Sequence, residues 1–262
     1  MKRKTYRGLL AALLVLSLAV SCTVKEDRIP CPCYLNVSFA DRGSIRHPVT
    51  LLGWAGNEVF RETINVEEHE PYWVKAVEKG TLTLSAVTGN NTSRVLGHTV
   101  TIPSGSQADS LYAFHEDVDC TGEMAYAEVK LHKQFATVRV DINQSASQMK
   151  QFRFNVEGNS CGFDLLDYSP VEGPYRFSPE ATSRTVDFRI PRQADSEMTF
   201  EIVHNGERIG IFPLGKYIER TGYNWNAEDL QDIFITIDLV IGQIIISVEG
   251  WEEGVVIKLI EQ

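Results

Sequence analysis

Five cysteines carry the chemistry most visible in this chain: Cys22, Cys31, Cys33, Cys120 and Cys161. Three of them fall in one stretch, SCTVKEDRIPCPCYL, from Ser21 to Leu35. Cys31-Pro32-Cys33 has no second cysteine pair and no spaced Cys/His pair to complete a tetrahedral zinc site. It is one residue short of the CxxC of a thiol oxidoreductase, and no βαβ pattern surrounds it. In an extended segment residues i and i+2 point the same way, which disfavours a mutual disulfide. In an oxidising compartment either cysteine would instead pair with Cys120 or Cys161, and four cysteines allow three full pairings. Preference falls on Cys33 or Cys31 with Cys120, which would tie the first strand to the end of the first domain. A loop of that length constrains the unfolded chain by roughly 4 kcal/mol.

Other reactive groups are scattered. HEDVDC (115–120) gathers His115, Glu116, Asp117 and Asp119, but the spaced oxygen ligands and central glycine of a calcium loop are missing, so it reads as a solvated acidic turn. EEHE (67–70) reads as a charged loop. His47, His98, His132 and His204 accompany no Ser or Cys nucleophile motif, and no glycine-rich phosphate loop occurs. Carboxylates in FDLLD and NAEDLQD do not stand out from an acidic background. Catalysis, a metal and a cofactor are therefore not expected. Trp54, Trp73 and Trp251 fall in or beside strand patterns and read as core, whereas Trp225 in YNWN is the best candidate for an exposed aromatic.

The segment ahead of the cysteines explains the first of them. Lys2, Arg3, Lys4 and Arg7 precede an apolar run from Leu9 to Val20, too short for a helix across a bilayer, which needs about 20 residues. This is the pattern of a secretory signal peptide, residues 1–21. The junction LSLAVSC resembles a bacterial lipobox, with Ala19 where leucine is usual. Cys22 would then be the acylated N-terminus; the alternative is ordinary secretory cleavage nearby. Lys25, Glu26 and Asp27 resemble the export signal of surface lipoproteins in Bacteroidota, the alternative being a charged linker. Removing residues 1–21 takes four of the 25 Lys and Arg and leaves 21 against 35 Asp and Glu, a net charge of −14. So acidic a chain repels phosphate backbones, and nucleic acid is not an expected partner.

Past Cys33 the period becomes two. YLNVSF sets Leu35, Val37 and Phe39 on one side and Tyr34, Asn36 and Ser38 on the other, a half-buried strand. Short strands recur at 49–54, 57–64, 72–77 and 81–87, with a hairpin expected around Gly80. Two more follow at 94–102 and 110–118. A polar seam at 117–124 leads into a long strand pattern, 125–142. Further strands are expected at 151–158, 184–190, 232–241 and 244–251, with a loop over 159–183. The hairpin 198–214 turns at Asn205-Gly206, the strongest short-range turn signal in the chain. The reading is all-β: a linker 22–33, a β-sandwich 34–122 and a second β-sandwich 123–262. The chain closes on GVVIKLIEQ, an apolar extended segment. Its residues Val255, Val256, Ile257, Lys258, Leu259 and Ile260 would be either a final strand at home or a strand donated to a neighbouring subunit.

Cys22 followed by Glu26, Asp27, Arg28 and then Cys31, Pro32, Cys33 and Leu35 resembles the N-terminus of the fimbrial anchor lipoproteins of Bacteroidales, the FimB-like and minor-fimbria anchors. KLHKQFATVRVDI and IIISVEGW resemble their second-domain and closing strands. The resemblance implies two tandem transthyretin-like β-sandwiches, lipid-anchored on the outer membrane and exposed at the cell surface. It implies a non-enzymatic role in holding a fimbria, or pilus, to the cell and limiting its growth, with fimbrillin shaft subunits as partners joined by strand addition. A surface glycan-binding lipoprotein and a fimbrial tip adhesin are the alternatives.

Overall fold

The computed structural model of the chain describes residues 31–143, 152–179, 181, 183–238, 243–248 and 255–258. Strand β1 (Cys33–Phe39) buries Cys33, Leu35, Val37 and Phe39 and leaves Tyr34 in solvent, as its alternation requires. It lies at the centre of a three-stranded sheet, antiparallel to β4 (Trp73–Val77) and parallel to β9 (Met124–Val129). A five-stranded sheet packs against it, in the order β10 (His132–Lys133), β8 (Tyr112–Asp119), β5 (Thr81–Thr88), β2 (Val49–Trp54), β3 (Glu58–Ile64). Leu35 and Val37 from one layer meet Leu51, Leu84 and Phe114 from the other in a shared core. Each such side chain taken fully out of water stabilises the fold by roughly 1.5–3 kcal/mol.

The second sandwich repeats the plan. One sheet runs β14 (Thr185–Pro191), β11 (Phe135–Asn143), β17 (Ile233–Asp238), β18 (Gln243–Val248), β19 (Val255–Lys258). The other runs β16 (Glu207–Phe212), β15 (Thr199–His204), β12 (Phe152–Asp164), β7 (Thr99–Thr101), β6 (Arg94–Leu96), with β13 (Pro170–Phe177) also paired to β12. Val138, Val140, Phe154, Phe188, Phe200 and Ile235 share its core, and a short helix α1 (Leu214–Arg220) adds Leu214 and Ile218.

A third cluster joins the two. Leu52, Val87, Leu111 and Ala113, on the first five-stranded sheet or next to it, pack with Val100, Phe163 and Leu165 from the β7 and β12 side. This explains why β5 departs from alternation: Ser85, Ala86, Val87 and Thr88 are all buried, because both faces of the strand are covered there. Ser85 donates its hydroxyl to the Leu165 carbonyl at 2.9 Å, and the Tyr168 hydroxyl donates to the Ala113 carbonyl at 2.9 Å.

Several local expectations give way to this arrangement. The strands on either side of Gly80 do not form a hairpin: β4 pairs with β1, and β5 lies in the other layer between β2 and β8. Gly80 takes φ 152° as the chain passes between layers, and its N–H and C=O both bond Cys120. The long pattern 125–142 is three strands, β9, β10 and β11, each in a different sheet. The pattern 94–102 is folded at Gly97 (φ 54°) into the paired strands β6 and β7. The expected loop 159–183 holds the end of β12 and all of β13, with register shifts at Gly158, Ser160 and Gly162. Strand pairing also does not divide at residue 122: β9 and β10 complete the first sandwich, while β6 and β7 extend a sheet of the second. Within the turn-forming composition at 117–124, only residues 120–123 bend the chain, between β8 and β9 of the same sandwich.

Candidate functional site

The two ends of the described chain carry the residues singled out by sequence. Cys31 is exposed at the N-terminal approach, and Cys33, the first residue of β1, is fully buried. Cys120 follows β8 and is equally buried, held in place by paired backbone bonds to Gly80. The Cys33 and Cys120 side chains lie beside one another inside the first core. Burial first, and the neighbouring Cys33 second, push the Cys120 thiol up to about 11. Cys161 is half-buried on β12 in the second sandwich, its Sγ 4.0 Å from the Glu172 carbonyl oxygen. All four are free thiols, and the fold brings together Cys33 and Cys120 alone among them.

At the other end, Val255–Lys258 forms the outermost strand of its sheet, antiparallel to β18 with Val255 opposite Ile246 and Lys258 opposite Gln243. Val256 is 56 % exposed. The strand therefore sits at home, held by one neighbour along four residues, with its far edge unpaired among the described residues. Leu259 and Ile260 lie outside the described residues, as do Cys22, Lys25, Glu26 and Asp27.

The acidic stretch 115–120 is not a turn. His115, Glu116, Asp117 and Asp119 belong to β8 and alternate across it; Asp117 accepts from the Thr83 hydroxyl at 2.6 Å, and His115 packs edge-on to Tyr168. Among the described residues no three His, Cys, Asp or Glu gather as a metal-binding group. The carboxylates of NAEDLQD have a positional task. Asp229 accepts from His132 and the Lys133 N–H, and Asp232 from Lys133 Nζ and the Thr137 N–H, pinning this loop beside β10 and β11. Burial works against both charges, and these hydrogen bonds outweigh it, holding both carboxyls below their usual range.

Trp225 is not the exposed aromatic. It packs half-buried against the second core, 4.6 Å from Tyr223, with its carbonyl taken by the buried Arg192 guanidinium. Trp73 is buried against Phe60, Trp54 lies edge-on to His98, and Trp251 lies outside the described residues. Among the described residues the aromatic rings standing furthest into solvent are tyrosines, Tyr34, Tyr72 and Tyr126. Their signal was present in the alternation of YLNVSF and of AYAEV, where Tyr126 sits between two buried alanines.

A cleft of about 430 Å³ opens at one end of the first sandwich, with Arg46, His47, Tyr112 and Lys130 in its lining.

Neither a family model nor a curated protein matches the sequence. Solved structures share the fold. The fimbrial anchor protein Mfa2 from Porphyromonas gingivalis superposes with a TM-score of 0.59 at 12 % identity, over 84 % of this chain and 98 % of its own. A candidate polysaccharide-binding protein from Bacteroides thetaiotaomicron gives 0.61 at 16 %, over 86 % and 98 %. A candidate adhesin from Bacteroides ovatus gives 0.59 at 13 %, over 88 % and 97 %. The chain thus has the all-β sandwich fold of fimbrial and adhesin proteins of Bacteroidales, along nearly its whole described length.

Proposed function

We propose that the protein is a non-enzymatic surface lipoprotein of the outer membrane that anchors a fimbria and limits its growth. The observation that carries this reading is the likeness in fold to a fimbrial anchor protein over 84 % of this chain, combined with a lipobox-like Cys22 ahead of β1 in sequence. Cys22 would carry the acyl chains, and Lys25, Glu26 and Asp27 would route the protein to the cell surface. Each buried CH₂ contributes ~0.8 kcal/mol of membrane affinity, so several chains on one cysteine hold the protein firmly.

The shaft would join through β-augmentation, in which main-chain hydrogen bonds supply affinity and alternate side chains fill pockets. Val255–Lys258 suits a donor because it is mostly apolar and held at a sheet edge by one neighbour, so little of the fold is lost when it leaves. The test is deletion of residues 254–262. The expected result is a folded, surface-exposed protein that no longer co-purifies with fimbrillin; co-purification at the wild-type level refutes strand donation. Replacing Cys22 with alanine should release the protein from the membrane fraction.

A second reading, a surface glycan-binding lipoprotein, is favoured by the cleft whose lining includes Tyr112 and the cations Arg46 and Lys130. It predicts polysaccharide binding that falls when Tyr112 is replaced by alanine.

A further inference from the structure

Five large apolar side chains that stand in solvent share one surface: Tyr34 (51 % exposed), Tyr72 (42 %), Val74 (53 %), Met124 (55 %) and Tyr126 (61 %). The pairing register explains the gathering. Tyr34 of β1 lies opposite Met124 of β9, and Asn36 lies opposite both Tyr126 of β9 and Val74 of β4. Period-two alternation sends these residues to the outer face of the three-stranded sheet, away from the core that takes Leu35, Val37 and Ala125. Tyr72, just ahead of β4, closes the surface with its ring edge-on to Tyr126 at 5.9 Å. The Tyr126 hydroxyl reaches Met124 Sδ at 3.8 Å. Asn36, the polar group in the middle, is buried, and its amide is spent on the Tyr34 and Ala125 carbonyls. Within these three strands Glu128 is the one charged side chain the alternation places outward, at the far end beside Ser38. Contiguous exposed apolar surface rimmed by polar residues marks an interaction site.

We infer that this face seats on the lipid surface to which the chain is tethered. The inference rests on the reading of Cys22 as the lipid carrier. Tyr34 is the second residue of the first strand, so the chain arrives in the fold at the rim of the apolar surface. Eight residues separate Cys22 from Cys31, the first described residue, and the nine steps give a reach of about 30 Å at roughly 3.3 Å per residue. The tether therefore keeps the face within touching distance of the bilayer. Tyrosine has an apolar ring and a polar tip, and it concentrates where a membrane meets water. The near absence of charge matters equally. A chain this acidic is repelled by an anionic lipid surface wherever it presents carboxylates, and this face presents almost none. The acyl chains would supply the affinity, and the face would set the orientation in which the protein stands.

The test compares the full lipidated chain in detergent with the same chain in vesicles of phosphatidylethanolamine and phosphatidylglycerol, using hydroxyl-radical footprinting. Met124, Tyr126 and Tyr72 should be protected at least threefold in vesicles, while Leu96, an apolar side chain 72 % exposed on a different sheet, is unchanged. In parallel, the unlipidated C22A chain should co-sediment weakly with the vesicles, and combining Val74→Ser, Met124→Ser and Tyr126→Ser should reduce that at least fivefold with an unaltered circular dichroism spectrum. Equal oxidation in detergent and vesicles, with acylation of Cys22 verified by mass spectrometry, overturns the inference. So does protection that appears without vesicles, whether on adding a neutral oligosaccharide or on raising protein concentration, because the face then belongs to a sugar or to a second copy. Absence of acyl groups on Cys22 refutes the tether by itself, and the unlipidated arm still judges the face.

Discussion

Cys33 opens the first strand and Cys120 directly follows β8, yet their thiols meet in the same buried core. The parallel pairing of β1 with β9 and the paired bonds between Cys120 and Gly80 bring them there. In an oxidising envelope such a pair is the natural disulfide, formed by exchange with a disulfide donor that leaves as two thiols. Incubation of the folded chain with oxidised glutathione should yield a peptide linking Cys33 to Cys120 by mass spectrometry. Reduction should then lower stability by about 2–5 kcal/mol in a denaturant titration. A link to Cys161 instead would contradict the packing. In the reduced protein, iodoacetamide at pH 8 should label Cys31 quickly and Cys120 slowly, since the Cys120 thiol ionises only near pH 11.

Asp109 anchors the segment before β6. Its carboxylate accepts from the N–H groups of Asn91, Thr92 and Ser93 at 2.7–2.9 Å. Burial opposes its charge, but these hydrogen bonds prevail and hold the carboxyl below the usual range. A depressed folded pKa means that stability is present above the unfolded value, near 4, and is lost as pH falls through the folded one. Asp109→Asn should therefore cost about 1–3 kcal/mol at pH 7 and reduce the loss of stability between pH 5 and pH 3, read by urea titration at each pH.

Gly162 lies where β12 receives β7 from the first half of the chain. A Cβ there would sit 1.8 Å from the Val100 carbonyl oxygen, a backbone atom that cannot swing aside. Gly162→Ala should destabilise the protein by about 1–3 kcal/mol or more and broaden the thermal transition, as the third cluster between the sandwiches is pushed apart. An unchanged transition would show that β7 and β12 do not couple the two cores.

Arg192 is buried and makes no ion pair among the described residues; its guanidinium instead donates to Gln134 Oε1 and the Ala227 carbonyl, both at 2.8 Å, and to the Trp225 carbonyl. Lysine cannot match this planar fork, so Arg192→Lys should lose roughly 3 kcal/mol and raise hydrogen exchange in residues 224–230.

Much of the secondary structure was legible because a half-buried strand writes its burial into the chain every second residue. β1, β2, β3, β5, β8 and the Asn205-Gly206 hairpin lie within about two residues of where their patterns place them, and both turn residues take positive φ (55° and 83°). Burial stops alternating where a strand is covered on both faces, as in β2 and β5, and bulges loosen the register between β12 and β13. The candidate residues divide the same way. Cys33 and Cys120 were a weak choice among three pairings until packing set the two thiols together. The tyrosine surface is invisible in any single segment, since Tyr34, Tyr72 and Tyr126 come from three separate parts of the chain.

By itself the amino-acid sequence determined the class of the fold, most strand positions, the acidic charge and the signal-like start, all properties of composition or of a local period. The tertiary structure alone decided which sheet each strand joins, why 125–142 crosses three sheets, that Val255–Lys258 pairs at home, and which aromatics remain in water. Those outcomes depend on backbone partners distant in sequence, and a hydrogen-bonded peptide group looks the same whichever strand it pairs with.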